Sequence, residues 1–338
     1  MGPSFNTLNR LLTTDSHVSM PEQGSADWLK WRFGRLQTQV DAWLEEAIES
    51  AWQVQRQKLE SLPEVQASMQ RLWQATRHAT LLGGKRIRPI LSLVVWHALG
   101  KQEVESLKGI CISTEMIHAQ SLVFDDLPCM DDDDTRRGKP TTHKAFDEAT
   151  AVLVGDALAC FAFECLIAYT PETYPLILLE LVQTLAGVGS FKGLVNGQYA
   201  DMSSHENPAS LAQLRYIHAQ KTGALLEFAV LAPARLAGVP QEIQEALRLW
   251  VSDLGQLFQA TDDLLDATAS SDALGKTAGK DALQEKLTYV SLLGIEGTQA
   301  EIHRLVQSAN QHLVQLARLG LQVEILQELQ DFIQHRGH

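Results

Sequence analysis

The stretch IHAQSLVFDDLPCMDDDD, residues 117–134, opens as the apolar face of a helix and closes as a run of acid. Asp125 and Asp126 follow the periodic apolar segment directly, which puts the pair at a helix end that points out of a core. Pro128 removes a backbone donor two residues later, and Asp131 does not share the pair's face on a straight helix. The helix therefore has to bend or stop here if the three carboxylates are to converge. A run of aspartates is ordinarily a solvated surface or a helix cap. Here RRGKP follows at 136–140 and supplies opposite charge at once, which favours a built site.

The same three- and four-residue spacing extends outward through most of the chain. Trp31, Leu36, Val40, Trp43, Leu44, Ala47, Ile48 and Ala51 recur with Arg, Gln and Glu between them. Equivalent patterns lie at about 64–81, 88–100, 104–124, 145–169, 173–194, 209–236, 240–265 and 280–294, and a more polar pair follows at about 298–318 and 321–335. Their separators are helix stops and turns, among them LGGK, ALGK, RRGKPTTHK, SSHENPAS and SSDALGKTAGKD. No window carries the branched-residue alternation of a strand. The reading is all-α: a single-domain bundle of long helices over 26–338, behind a loose leader over 1–25. Segments 151–169 and 176–195 are apolar on nearly every side, so they form either the bundle centre or a subunit interface, and a homodimer is expected.

A chain of 338 residues, 45% of them hydrophobic, can bury a sizeable core. A net charge of −13 argues against nucleic acid, whose phosphates are gripped by Lys and Arg in excess. The cysteines, Cys111, Cys129, Cys160 and Cys165, lack paired metal-ligand spacing and read as thiols of a reducing compartment. No basic-led apolar run with a cleavage site opens the chain, so a cytoplasmic location is expected, or the plastid stroma for a plant or alga. The longest apolar stretch, 151–169, carries Asp156 and Glu164, charges that are expensive in a bilayer. It is expected to be buried in protein, not to span a membrane.

A second acidic cluster, TDDLLD at 261–266, places Asp262 and Asp266 one turn apart on one helix face. Like charges at that spacing cost a few tenths of a kcal/mol unless a cation is shared. Two such clusters rich in acid and poor in histidine or thiol suit Mg²⁺, which keeps several waters and bridges carboxylate to phosphate. Basic elements supply the anion's partners: GGKRIRP at 83–89, with Lys85, Arg86 and Arg88; RRGK, with Arg136 and Arg137; and the pair Lys221 and Thr222. Arg86 is the one of these most readily explained by a salt bridge alone. This is not a P-loop, because no Ser or Thr follows GGK. His118 lies seven residues before Asp125 on the same face and either lines the same cavity or is a buried structural histidine.

Taken together these motifs resemble the trans-isoprenyl diphosphate synthases, the short-chain polyprenyl synthetases, most closely the bacterial or plastid-type geranylgeranyl and farnesyl diphosphate synthases. DDLPCMD is similar to their first aspartate-rich motif in its DDxxxxD form, and DDLLD to the second. GGKRIRP, EMIHAQSLVFDD, GDAL, GLVNGQYADM, KTGALL, FQATDD and LGKTAGKD follow in order across about 83–290, with no catalytic motif broken. The resemblance implies mostly antiparallel helices around a deep central cavity, and a head-to-tail condensation of isopentenyl diphosphate with dimethylallyl, geranyl or farnesyl diphosphate. It implies three Mg²⁺, held by Asp125, Asp131 and Asp262, with Asp126 and Asp266 orienting metal-bound water and Asp263 completing the catalytic set. It assigns Arg136, Lys221, Thr222, Gln259 and Lys276 to the allylic substrate, and Lys85, Arg88, His118 and Arg137 to isopentenyl diphosphate.

The chemistry makes sense of those residue types. A diphosphate leaves an allylic carbon only when preorganised cations meet its growing charge, and the allylic cation left behind needs a dry, nonbasic pocket. No Ser or Cys nucleophile constellation is present, and none is required. Product length is expected to be set below the first acidic motif by Gln120 and Ser121, one helical turn down, together with Phe161. In the resembled family, farnesyl synthases of this motif type usually carry tyrosine where Gln120 stands, which points to a C20 product, with C15 the alternative. A terpene cyclase would not need GGKRIRP, and a noncatalytic regulatory subunit would be expected to have lost acidic residues. A metal-free acidic interaction surface stays open as the plainest alternative.

Overall fold

Leu36, Val40, Trp43, Leu44 and Ile48, the spacing that predicts the first long helix, are all buried along one side of α2, Ala26–Lys58. The computed structural model describes residues 8–12, 26–170, 174–204, 209–268 and 286–335. Within the stretch expected as a leader, Leu8–Leu12 form a short helix, α1, whose Leu8, Leu11 and Leu12 are buried. Leu8 N–H donates to Gln102 O at 2.7 Å, which ties α1 to the turn between two of the central helices.

The bundle continues through α3 (Pro63–Leu81), α4 (Ile87–Ala98), a 3₁₀ turn (Glu105–Leu107) and α5 (Lys108–Asp125). After the acidic loop come α6 (Thr142–Ala145), α7 (Glu148–Ala168), α8 (Pro175–Val188), α9 (Leu194–Met202) and α10 (Leu211–His218). Then follow α11 (Ala224–Leu236), α12 (Gln241–Thr268), α13 (Tyr289–Arg318) and α14 (Glu324–Gln334). The helices pack mostly antiparallel, with α5 against α7 and α12 against α13 as the most extensive pairs. The stretches read as separate helices ending near 294 and starting near 298 are parted at Gly294, whose φ of 71° and ψ of 177° break the helix within Tyr289–Arg318.

The centre is α4, α5 and α11, whose residues are buried nearly all round. Ser92 Oγ, fully buried in α4, donates to Ala229 O in α11 at 2.7 Å, as a buried hydroxyl must. The two helices read as apolar on all sides sit further out. α7 buries Ala151, Val154, Leu158, Ala162 and Leu166, but leaves Leu153 and Ile167 more than half exposed. By length and composition α7 alone among the described helices passes for a membrane span, yet it is packed along α5.

The expectation of no strand needs one correction. Thr135–Arg136 (β1) and Lys139–Pro140 (β2) pair antiparallel, Thr135 with Pro140 and Arg136 with Lys139. The turn between them, Arg137 (φ 54°) and Gly138 (φ 73°), has positive φ at both central positions, the conformation that joins two strands most tightly. Strands of two residues leave no alternation to read.

Candidate active site

The apolar face of α5 ends at Asp125, and the chain turns back on itself immediately. Asp131 N–H donates to Asp125 O at 2.9 Å and Asp133 N–H to Asp126 O at 3.2 Å, so the loop folds over the helix end. This reversal brings Asp131 beside Asp125, the convergence a straight helix forbids. The carboxylates then diverge in their surroundings. Asp126, 3% exposed, takes both oxygens to Arg136 Nε at 2.8 and 2.9 Å, and Arg136 Nη2 adds a third contact. Burial lowers the Arg136 pKa, but the Asp126 carboxylate more than offsets it and keeps the guanidinium charged. Asp131 Oδ1 lies 3.3 Å from Lys286 Nζ. Asp125 accepts no side-chain hydrogen bond among the described residues. Burial, with Asp131 and Asp126 adding to it against Lys221 and Arg136, raises its pKa to about 6.

Facing this cluster is a short π-helical turn, Ala219–Gly223, between α10 and α11. Such turns displace side chains from the ordinary helical register and concentrate at functional positions. Lys221 Nζ bonds Asp201 Oδ2 at 2.7 Å. Burial pulls the Lys221 pKa down, yet the charges of Asp201, Asp125 and Asp131 carry it above its ordinary value. Thr222 Oγ1 donates to Gln259 Oε1 at 3.1 Å, one turn before Asp262 and Asp263 on α12. Asp263 Oδ2 accepts the backbone N–H of Tyr289 at 2.7 Å, at the first turn of α13, while Asp266 is 5% exposed. The two acidic clusters are thus joined twice: through Lys221 and Thr222 to Gln259, and through Lys286, whose segment enters α13 where Asp263 holds it.

Among the described residues no group of three His, Cys, Asp or Glu closes on one point to hold a metal by itself. Magnesium is usually held by one or two carboxylates, with water and substrate phosphate completing its shell. Asp125, half-buried and accepting no side-chain hydrogen bond among the described residues, stands with Asp131 as such a donor set. The ammoniums on Asp131 and Asp201 supply counter-charge in the meantime.

The other basic residues line a cavity of their own. A cavity of about 550 Å³ is lined by Lys85, Arg88, His118 and Arg137, with Glu115, Gln37 and Phe258. All four side chains assigned by resemblance to isopentenyl diphosphate therefore share one space. Burial lowers the Arg88 pKa to about 10, with Glu115 opposing and Arg137 reinforcing, and its Nε has no hydrogen-bond partner. Burial and the neighbouring Arg88, Arg137, Arg136 and Arg86 hold His118 far below its ordinary value, so it is neutral. Gly84, at φ 122°, leaves the room that Arg137 fills, since a Cβ there would stand 2.2 Å from the Arg137 guanidinium carbon. Arg86 is the structural clamp. It adopts φ 49° and bonds Asp41 and Glu115 at 2.7 Å each and Thr80 O at 2.9 Å.

The residues expected to set product length separate. Gln120 is half-buried, and Ser121 is 8% exposed with its hydroxyl on His118 O at 2.9 Å. Phe161 lines a different, apolar cavity of about 520 Å³ with Trp52, Trp73 and Leu158, to which α5 contributes nothing. Phe124 instead packs on Gly155, where a Cβ would meet its ring at 2.5 Å. Lys276 lies outside the described residues. Sequence reasoning missed Lys286, Asp201 and Glu115. Asp201 and Glu115 stood inside quoted motifs, whereas Lys286 carried no local signal.

Comparison with known proteins agrees with this geometry. The polyprenyl synthetase family model matches residues 69–319. Farnesyl diphosphate synthase of Bacillus subtilis (strain 168) is 41% identical over 292 residues, 86% of this chain and 95% of that protein. Geranylgeranyl pyrophosphate synthase 4 of Arabidopsis thaliana is 43% identical over 267 residues, 78% of this chain and 70% of that one. The crystal structure of geranyltransferase from Helicobacter pylori complexed with magnesium and isoprenyl diphosphate superposes with a TM-score of 0.67 at 34% identity, covering 77% of this chain and 84% of that one. With the motifs, the fold and these relatives in agreement, the chain belongs to the polyprenyl synthetase family, within its short-chain trans-prenyltransferases.

Proposed function

We propose that this protein condenses isopentenyl diphosphate with an allylic diphosphate and releases geranylgeranyl diphosphate, C20, as its main product. The observation that carries the reading is a basic cavity lined by Lys85, Arg88, His118 and Arg137, additional to the carboxylates of Asp125 and Asp131 that act on Lys221. A basic cavity for a second diphosphate, beside an acidic cluster suited to a metal-held one, suits a condensation better than a cyclisation. Asp125, Asp131 and Asp262 would hold magnesium against the allylic diphosphate, and the metal would supply charge neutralisation for the departing group. Lys221 and Lys286 supply further positive charge on that side, and Thr222 with Gln259 orients the substrate. His118, its pKa held low by burial and the neighbouring arginines, can donate a hydrogen bond to the second diphosphate and is a weak base for the proton lost from the new chain. A C20 product is favoured by Gln120 standing where a tyrosine would shorten the pocket.

A homodimer is supported by the exposed apolar faces of α8 and α9 and the segment between them, where Leu176, Leu179, Phe191 and Tyr199 are 66–84% exposed. Four unpaired thiols accord with the cytoplasm. The test is incubation of purified protein with labelled isopentenyl diphosphate and, separately, dimethylallyl, geranyl and farnesyl diphosphates, followed by sizing of the products. A C20 product from all three starters is expected. A product that stops at C15 would replace the chain-length reading, and a cyclic hydrocarbon would replace the reaction.

A further inference from the structure

We infer that Asp201 is a positioning residue that holds the Lys221 ammonium off Asp125 and Asp131 and so keeps those carboxylates open to a divalent cation. The inference rests on the metal-dependent reading above and deepens it.

Lys221 sits among three carboxylates, those of Asp201, Asp125 and Asp131, and its side chain and that of Asp201 are only 24% and 20% exposed. At that burial an ammonium does not stand free; it takes a partner. The backbone decides which one. Gly197 lets α9 pack against the π turn so closely that a Cβ would lie 2.1 Å from Lys221 N and 2.5 Å from Lys221 Cα. Asp201, one helical turn after Gly197, is thereby delivered to Lys221 Nζ at 2.7 Å. Lys286 shows the alternative, because it has already settled on Asp131. Without the Asp201 carboxylate, Lys221 would move to Asp125, the carboxylate beside it that accepts no hydrogen bond among the described residues. It would then compete with the metal for the same oxygens.

The test is direct binding of Mn²⁺ in the presence of inorganic diphosphate, followed by electron paramagnetic resonance, with circular dichroism to verify folding. Asp201→Asn should bind Mn²⁺ roughly tenfold more weakly, the equivalent of one charge-assisted hydrogen bond redirected. Asp201→Asn combined with Lys221→Met should recover the affinity of Lys221→Met alone, the control that carries the same lost contact to diphosphate, because the competing ammonium is gone. A residue that merely supports the fold would give no such recovery. Asp201→Glu, which keeps the ammonium's partner, should stay within about twofold of wild type and covers the case in which the Asn variant does not fold. Equal affinity in wild type and Asp201→Asn, or no recovery in the double variant, overturns the inference alone. Absence of Mn²⁺ binding to wild type with diphosphate overturns both the inference and the metal-dependent reading beneath it.

Discussion

DDLPCMD and DDLLD have nearly the same composition, but the backbone treats them oppositely. The first sits where α5 stops, so its aspartates are spread by a reversing loop and each meets a different neighbour: Arg136 for Asp126, Lys286 for Asp131, and no hydrogen-bonding side chain for Asp125. The second lies inside α12, which continues to Thr268, so its aspartates stay in helical register and Asp263 turns aside to hold the start of α13. One motif type is thus divided between chemistry and architecture by whether its helix ends. Where the helix stops within the motif, the carboxylates meet different neighbours; where it runs on through the motif, they keep a fixed spacing.

The largest effect that can break this comparison comes from removing divalent metal. EDTA should abolish turnover and leave the melting temperature nearly unmoved, because Lys221 on Asp201 and Lys286 on Asp131 hold this region together through ion pairs of their own. A large fall in melting temperature would mean that the two clusters are held together by metal, not by Lys221 and Lys286. Next comes Asp125→Ala, expected to lower kcat about 10³-fold, in the range for losing one preorganised charge-stabilising group. Its stability should hold or rise. Burial has raised the Asp125 pKa, so the ionised form opposes folding near neutrality and the substitution removes that opposition. Steady-state kinetics and a thermal melt on one sample decide both points.

Asp263→Ala sharpens the contrast from the other side. Losing the hydrogen bond to Tyr289 N–H should cost about 1 kcal/mol of stability, like the loss of a helix cap, with faster amide exchange confined to the first turns of α13. Its effect on kcat should be at least an order of magnitude smaller than that of Asp125→Ala. Equal kinetic losses would place Asp263 in the chemistry and remove the distinction. Gln120→Tyr acts below the first cluster and should shift the product from C20 towards C15 with little change in rate. An unchanged product distribution would take Gln120 out of the pocket floor.

Much of this was legible before any coordinates. Helices such as Pro63–Leu81 and Gln241–Thr268 followed from apolar spacing, since a long amphipathic face has few other ways to be buried. The gathering of Lys85, Arg88, His118 and Arg137 followed from motif order and resemblance. What escaped was short or tertiary. The Thr135–Pro140 hairpin and the Leu8–Leu12 helix are too brief for a period to register. The π turn at Ala219–Gly223 differs from its flanking helices by one residue per turn, which no residue type encodes. Lys286 and Phe161 show the tertiary case: the first reaches Asp131 across 155 positions, and the second faces α2 and α3 where the motif suggested the product pocket.

The smallest effect tests how the π turn is held between the clusters. His218 ends α10 immediately before that turn, is 8% exposed, and packs its ring 5.5 Å from that of Tyr289. Burial, aided by Lys221 and opposed by Asp201, lowers its pKa from 6.5 to about 4. The unfolded chain therefore binds this proton more tightly than the native one between those values. Stability from His218 is complete above pH 6.5 and is lost as pH falls towards 4. Between pH 7 and 6 the loss should be about 0.7 kcal/mol. Asp125 works in the opposite sense, because its raised pKa makes the native state gain stability on acidification, so a single melt against pH mixes the two. The difference between wild type and His218→Gln removes the Asp125 contribution. Chemical denaturation of both proteins across that interval should show the gap narrowing on acidification. A gap independent of pH would mean that His218 is not held neutral, and that the turn carrying Lys221 is more open to water than its burial indicates.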